Sequence, residues 1–404
     1  MNPNNRWSRL ESVALIPSIM ALSLSVLFAS RGYSYAQPHI FGPPTIKAVG
    51  SLNRARAAAA SVSLADGTVL VSGGIDSGFN YLSSAELFNP TNQRFTQLAS
   101  MTAARAGHTA TLLANGQVLI AGGVVCSAGS CTELASAEIY DPTAKQFFAI
   151  GNMTIAREGH TATLLNDGTV LLAGGFDGRG NGIASAEIYD PTNGEFVETA
   201  TMVSARFLHT ATLLPDGEVY IAGGRSCEGS GCISNAASET AEVYDPGRRQ
   251  FFAAGNLGKA RALHAATLLQ DGTVLVTGGR SCAGDCEGDT TLQDANLYDP
   301  ATGTFAATGR MASARAGQKS VALPDGTAFV YGGVDRSGRF GFQFLSNGEL
   351  FQPASEDFTS AGSGTVGGTD LIMDLLANQQ VLVAGGAEGH SVFGAADLFT
   401  FPSN

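Results

Sequence analysis

Seven Gly-Gly pairs punctuate this chain, with first glycines at Gly73, Gly122, Gly174, Gly223, Gly278, Gly332 and Gly385, so that successive pairs stand 49 to 55 residues apart. Spacing of that order marks a repeat architecture, in which each unit is one small motif that buries its faces only by stacking on its neighbours. Each pair closes a continuous apolar run, such as VLIA before Gly122 and Gly123. Ahead of the run lies an alternating stretch, HTATLL at 108–113, joined to it by a two-residue turn such as Asn115-Gly116 or Asp167-Gly168. An Asn-Gly or Asp-Gly pair between two such runs is the strongest short-range hairpin signal, because a type I′ turn needs positive φ at both central residues. Beyond each glycine pair comes AEIY or a variant, stopped in four units by Asp-Pro at Asp141, Asp190, Asp245 and Asp299. Proline cannot donate into a ladder, so the strand ends there. Five residues past each proline an aromatic, as at Phe147, opens a fourth strand. The pattern predicts an all-β, seven-bladed propeller with four antiparallel strands per blade.

The ends complement each other. The seventh unit has three strands, the last containing Phe399. Aligning Arg56 on Arg105 sets Ile46 at the place of Phe95 and Leu52 at the place of Met101. The segment Thr45–Leu52 is therefore expected to complete the last blade, closing the ring and removing the open edges of a linear array. Residues 37–404 form one propeller domain on this reading.

Over residues about 45–400 the chain resembles the kelch-repeat family, with its glycine pairs (Gly122 and Gly123), a later aromatic (Tyr140 and its equivalents) and a further aromatic beyond. The tryptophan usual in the fourth strand of that family is phenylalanine here, and the sole tryptophan is Trp7. The resemblance implies a galactose-oxidase-like propeller architecture and a ligand met by the rim that carries the second-to-third-strand loops. It also brings in an alternative, a secreted carbohydrate-active enzyme of oxidase or epimerase type. The oxidases of this architecture need two tyrosines, two histidines and a cysteine cross-linked to tyrosine. Only His39 and His390 lie off the repeated histidine position, and no copper site can be assigned. No catalytic residue is named.

Residues 1–36 read as a secretory signal, with Arg6 and Arg9 before an apolar run at 13–29 and small residues at the cleavage positions. Export to the medium, periplasm or cell envelope follows, with no membrane attachment once the leader is removed; a retained anchor is the other reading. All six cysteines come as near neighbours, Cys126 with Cys131, Cys227 with Cys232 and Cys282 with Cys286. An even count in an exported chain points to disulfides, local pairing being the simplest connectivity. Net charge is −12 and falls near −14 without the leader, which holds three arginines and one glutamate. An acidic surface of that size argues against nucleic acid as partner.

Candidate binding residues sit in the variable loops of one rim, where function usually lives on a rigid scaffold. They are Asp177, Arg179, Arg225, Arg280, Arg336, Arg339, Phe340, Phe342 and Phe344, the 334–347 loop being richest in aromatics. Such a surface suits a protein or a glycan, bound by a monomer. Asp285, Glu287 and Asp289 alternate on one loop in a manner able to ligate calcium. Arg105 and Glu138 each recur in most units, which fits a structural joint forked onto a carboxylate or carbonyl between blades. His108 recurs in four units and is expected to hydrogen-bond within its blade.

Overall fold

The computed structural model describes residues 43–402 apart from 128, 179–180, 227–235, 283–289 and 337–340. The leader, Arg179, Arg339, Phe340, Asp285, Glu287, Asp289, Cys227, Cys232 and Cys286 lie outside the described residues. The described chain forms seven four-stranded antiparallel sheets, with four two-stranded ribbons attached to them. Blade 2 shows the pattern: Thr109–Leu112, Val118–Ala121, Ala137–Asp141 and Gln146–Ala149 pair in sequence order. The first strands of all seven blades touch their neighbours in an unbroken circle and so surround the axis.

Closure occurs as the termini imply. Thr45–Ala48 pairs antiparallel with Ala396–Thr400, setting Ile46 opposite Phe399, and blade 7 thereby gains its outer strand. In the other six blades that place holds a phenylalanine facing the third-strand aromatic, with ring centroids 4.8 to 5.1 Å apart. Tilted pairs at this distance contribute roughly 0.5–1.5 kcal/mol beyond the area they bury. Phenylalanine thus supplies a large flat apolar ring at that place.

The second strands, Val118–Ala121 among them, are buried along their whole length, because the neighbouring blades cover both faces. The core is accordingly divided among the blade junctions. Leu119 and Ala121 of blade 2, for example, pack with Val170, Leu172 and Tyr189 of blade 3.

An arginine stands at six of the seven junctions, fully buried in each case: Arg56, Arg105, Arg157, Arg206, Arg261 and Arg315. Arg105 enters blade 2 and donates from Nη1 to the Gly122 carbonyl (2.7 Å) and the Ser136 carbonyl (3.0 Å). Its Nη2 meets Glu138 at 2.9 Å. Glu138 in turn accepts from the backbone N–H groups of Thr102 and Ala103, upstream on the arginine's own segment. The arginine carbonyl faces the other way, accepting the Gly74 N–H of blade 1 at 2.8 Å. One residue thus ties its own blade with its side chain and the preceding blade with its backbone. Burial lowers the arginine pKa and the glutamate opposes that drop, offsetting part of the cost of burying the charge.

The joint also explains the glycines. Gly122 and Gly123 both have positive φ, 67° and 95°. A Cβ on Gly122 would lie 2.5 Å from the Arg157 carbonyl oxygen, and one on Gly123 would lie 2.6 Å from that of Ala106. Only glycine permits both the conformation and the approach.

Two blades depart from the pattern. Asn296 replaces the glutamate in blade 5, taking Arg261 Nη2 at 3.0 Å, and Arg261 is held down to about 10 chiefly by burial. In blade 7 Gly368 stands at the arginine position, and Asp397 accepts from Thr365 and Val366 instead.

Removing one partner of a buried pair leaves an uncompensated charge. Glu138→Ala is expected to lower unfolding free energy by about 3–5 kcal/mol, read as a drop in the denaturant midpoint. A change below 1 kcal/mol would mean that the joint is dispensable.

Candidate functional site: the loop rim and the axial cavity

The two rims differ in kind. Asp-Gly and Asp-Pro turns share one of them, where Gln117 reaches across to Asp141 (3.2 Å). The opposite rim carries the second-to-third-strand loops and the inter-blade connections, fastened to each other by backbone bridges such as Ala57 with Ile75 and Ala106 with Val124. Short ribbons brace four of these loops, and one of them, Val124–Ser127 with Ser130–Glu133, contains the Cys126–Cys131 disulfide. Cys282 is also disulfide-bonded.

Three rim candidates are brought together on blade 6. The Arg336 guanidinium lies 4.8 Å from the centroid of the Phe342 ring, and the backbone N–H of Arg336 donates to Thr291 Oγ1. Phe344 pairs with Val334 in the ribbon below. Phe342 is 37% exposed. Two residues outside the candidate set extend the surface: Phe79 of blade 1, 52% exposed, and His390 of blade 7, their rings 5.9 Å apart in an edge-to-face contact. Neither position repeats, so periodicity carries no sign of them. Blades 6, 7 and 1 are consecutive around the ring and carry these exposed rings, while a half-buried pair, Phe176 with Phe207 at 5.3 Å, lies on the same rim at blades 3 and 4.

The remaining candidates do other work. Asp177 accepts from the backbone and side-chain amides of Asn181, closing its own loop. Asp76 does the same with Asn80 and adds an ion pair to Arg54. Burial alone would raise the Asp76 pKa, but Arg54, Asn80 and the Gly78 N–H outweigh it and hold the group near 2. Arg225 is bridged by backbone to Phe207 and Ala237. Arg280 is 7% exposed. Its backbone pairs with Ala262 and Thr291, and that draws the residue inward.

The repeated histidines bridge blades. His108 Nε2 lies 3.0 Å from Ser72 Oγ of blade 1, His160 Nε2 3.2 Å from Thr109 of blade 2, and His209 and His264 repeat the contact. The expected partner within the blade is thus replaced by the preceding blade, since the ring packs over that blade's first glycine. Burial holds all four neutral, His160 and His264 down to about 3.

The residue ahead of this position is left-handed in every blade: Ala58, Gly107, Gly159, Leu208, Leu263, Gly317 and Asp370. Gly107 donates to the Ala58 carbonyl, Gly159 to Gly107, Leu208 to Gly159, Leu263 to Leu208 and Gly317 to Leu263, at 2.8 to 3.3 Å. A backbone chain of hydrogen bonds therefore runs around the loop-rich mouth of the axis from blade 1 to blade 6. It offsets the roughly 1–3 kcal/mol that such a backbone costs a non-glycine residue. Next to this ring lies a cavity of about 300 Å³, lined by Ala59, Ser61, Thr109, Ala110, Lys319 and Asp374 among others.

Unfolded histidine titrates near 6.5 and the native rings far lower, so below about pH 6.5 the unfolded chain binds more protons than the native one. Stability is predicted to fall from about pH 6.5 toward pH 3, by up to about 1.4 kcal/mol per pH unit for each histidine. Denaturant midpoints measured across that range check this. His160→Gln, which reproduces the Gln318 of blade 6, should make the dependence shallower; an unchanged slope would contradict the assignment.

A closed seven-bladed wheel with one uniform and one variable rim is a repeat scaffold for recognition. The KLHDC2/KLHL20/DRC7 Kelch-repeats domain matches residues 107–333 and the Kelch motif matches residues 56–102. The chain belongs to the kelch-repeat family. No curated protein matches it significantly. Among solved structures it is similar to one titled as a novel fungal alcohol oxidase of the AA5 family in complex with copper. That match has a TM-score of 0.67 and 18% identity, covering 90% of this chain and 77% of the other. It is also similar to the structure of YjhT, with a TM-score of 0.61 and 13% identity, over 78% of this chain and 99% of the other. At these identities the likeness concerns the fold. Among the described residues no three His, Cys, Asp or Glu side chains gather where they can hold a metal ion.

Proposed function

We propose that this kelch propeller is an exported binding module that recognises a protein or a glycan through the loop-rich rim of blades 6, 7 and 1. The observation that carries the reading is a pair of exposed rings there, Phe342 beneath the Arg336 guanidinium and Phe79 edge-on to the His390 ring. Flat aromatic groups flanked by arginine supply large contact area at low entropic cost, and such groups dominate interface energetics. The other exposed large apolar groups are Phe148, Val197 and Phe252 on outer strands of three blades, the last with Arg248 5.7 Å from its ring centroid, and Val203 in the connection that leads into blade 4.

The leader composition and the Cys126–Cys131 disulfide support export to an oxidising compartment. An acidic net charge of −12 favours a partner met through rings and a local cation over an anionic polymer.

Glycan-array and affinity-capture profiling of the mature chain tests the reading when run beside Phe79→Ala/Phe342→Ala. The double substitution is expected to weaken the identified interaction by about tenfold or more, whereas Phe148→Ala leaves it unchanged. Equal loss in both variants, or in neither, would remove the rim sector from the binding surface.

A further inference from the structure

We propose that the axial cavity, lined from blades 6, 7, 1, 2 and 3, binds a small zwitterion with the size and charge pattern of a free amino acid, its ammonium group on Asp374 and its carboxylate on Lys319. The site is separate from the rim surface and does not rest on it.

The seven first strands line the axis with small and aliphatic residues: Ala60–Ser63, Thr109–Leu112, Thr161–Leu164, Thr210–Leu213, Ala265–Leu268, Lys319–Ala322 and Ile372–Leu375. Lys319 and Asp374 are the two ionisable side chains in that set, they carry opposite signs, and both line the same cavity. They do not satisfy each other. Asp374 Oδ2 is buried with no hydrogen-bond partner, and Lys319 acts on the carboxyl through space alone.

Comparison around the ring shows that neither charge is needed for blade packing. The place of Asp374 is taken by Thr111, Thr163, Thr212 and Thr267 in blades 2 to 5. In blade 5 the hydroxyl of Thr267 meets that of Ser320 in the next blade, and Ser61 stands at the matching place beside Asp374. A threonine makes that contact without burying a carboxylate oxygen, which is costly unless a cation or donor arrives to meet it. Lys319 stands where Thr109, Thr161 and Thr210 bond the histidine of the following blade. The following blade here offers Leu371 instead, so that junction bond has been given up on both sides.

The room comes from the same departures. Blade 1 has Ala59 at the histidine position, and Ala60, Ala110 and Ala162 complete small walls. A volume of about 300 Å³ lies at the lower end of small-molecule pockets, enough for a metabolite of amino-acid size and too small for an oligosaccharide or peptide. His108 also faces the cavity, but burial keeps it neutral. The charges that meet a ligand are therefore one of each sign.

The test is thermal-shift and calorimetric titration of the full mature chain with a panel of free L-amino acids at pH 7.5. Their amides, which lack the carboxylate, and their N-acetyl derivatives, which lack the ammonium group, serve as paired controls. At least one amino acid should raise the melting temperature and release heat, with both control forms at least tenfold weaker. Asp374→Thr, which copies four other blades and should fold, and Lys319→Gln should each abolish the response while leaving rim binding intact. Burial, eased by Ser61 and Lys319, sets the free Asp374 pKa near 6, so affinity should also decline as pH falls through that value. Absence of binding by every member of the panel, or binding indifferent to Asp374→Thr, would overturn the proposal.

Discussion

The structure depends on a buried guanidinium at the blade junction. An unpaired arginine in such a place would cost several kcal/mol in lost hydration, yet six of them are fully buried here. The cost is met locally. Two carbonyls and, in five of the six, a glutamate surround each head group, and that glutamate also gathers the N–H groups of the segment that brings the arginine in. Because the arginine carbonyl takes a glycine N–H from the preceding blade, each joint fixes the angle between two sheets. Repeated around the axis, that angle closes the wheel and leaves both rims defined.

From this follows the division between what the repeat requires and what it leaves free. Glycine pairs, arginines, glutamates and the paired aromatics are committed to holding blades together. Function must then sit where the units differ. The departures concentrate in one sector: Gly368 and Leu371 in blade 7, Lys319 in blade 6, Ala59 in blade 1, with Phe342, His390 and Phe79 above them. The hydrogen-bonded chain of left-handed residues stops at the same place, between Gly317 and Asp370.

Much of this was legible in the sequence, because a repeat advertises whatever recurs. Asp-Gly turns and glycine pairs gave the strands, Ile46 at the place of Phe95 gave the closure, and matched frequencies tied Arg105 to Glu138. Other features have no periodic signature. Leu208 and Leu263 adopt a backbone that leucine rarely takes, and only the neighbouring carbonyls make it tolerable. His108 looks the same in sequence whether it bonds its own blade or the one before. Arg280 reads as a loop cation until the bridge to Ala262 draws it in. Lys319 and Asp374 appear as isolated lapses in two degenerate units, 55 residues apart, and become a pair only around a common axis.

Amide hydrogen exchange on the native chain tests the central claim most directly, because it reads each junction separately. The N–H groups of Gly74, Gly123, Gly175, Gly224, Gly279 and Gly386 all end on the carbonyl of an arginine from the next blade around the ring. The account predicts that these six exchange only through global unfolding, as slowly as the second strands and far more slowly than the rim loop at 76–81. Exchange of these glycines at loop rates, with the strands still protected, would show that the blades are held together by something other than the arginine joint.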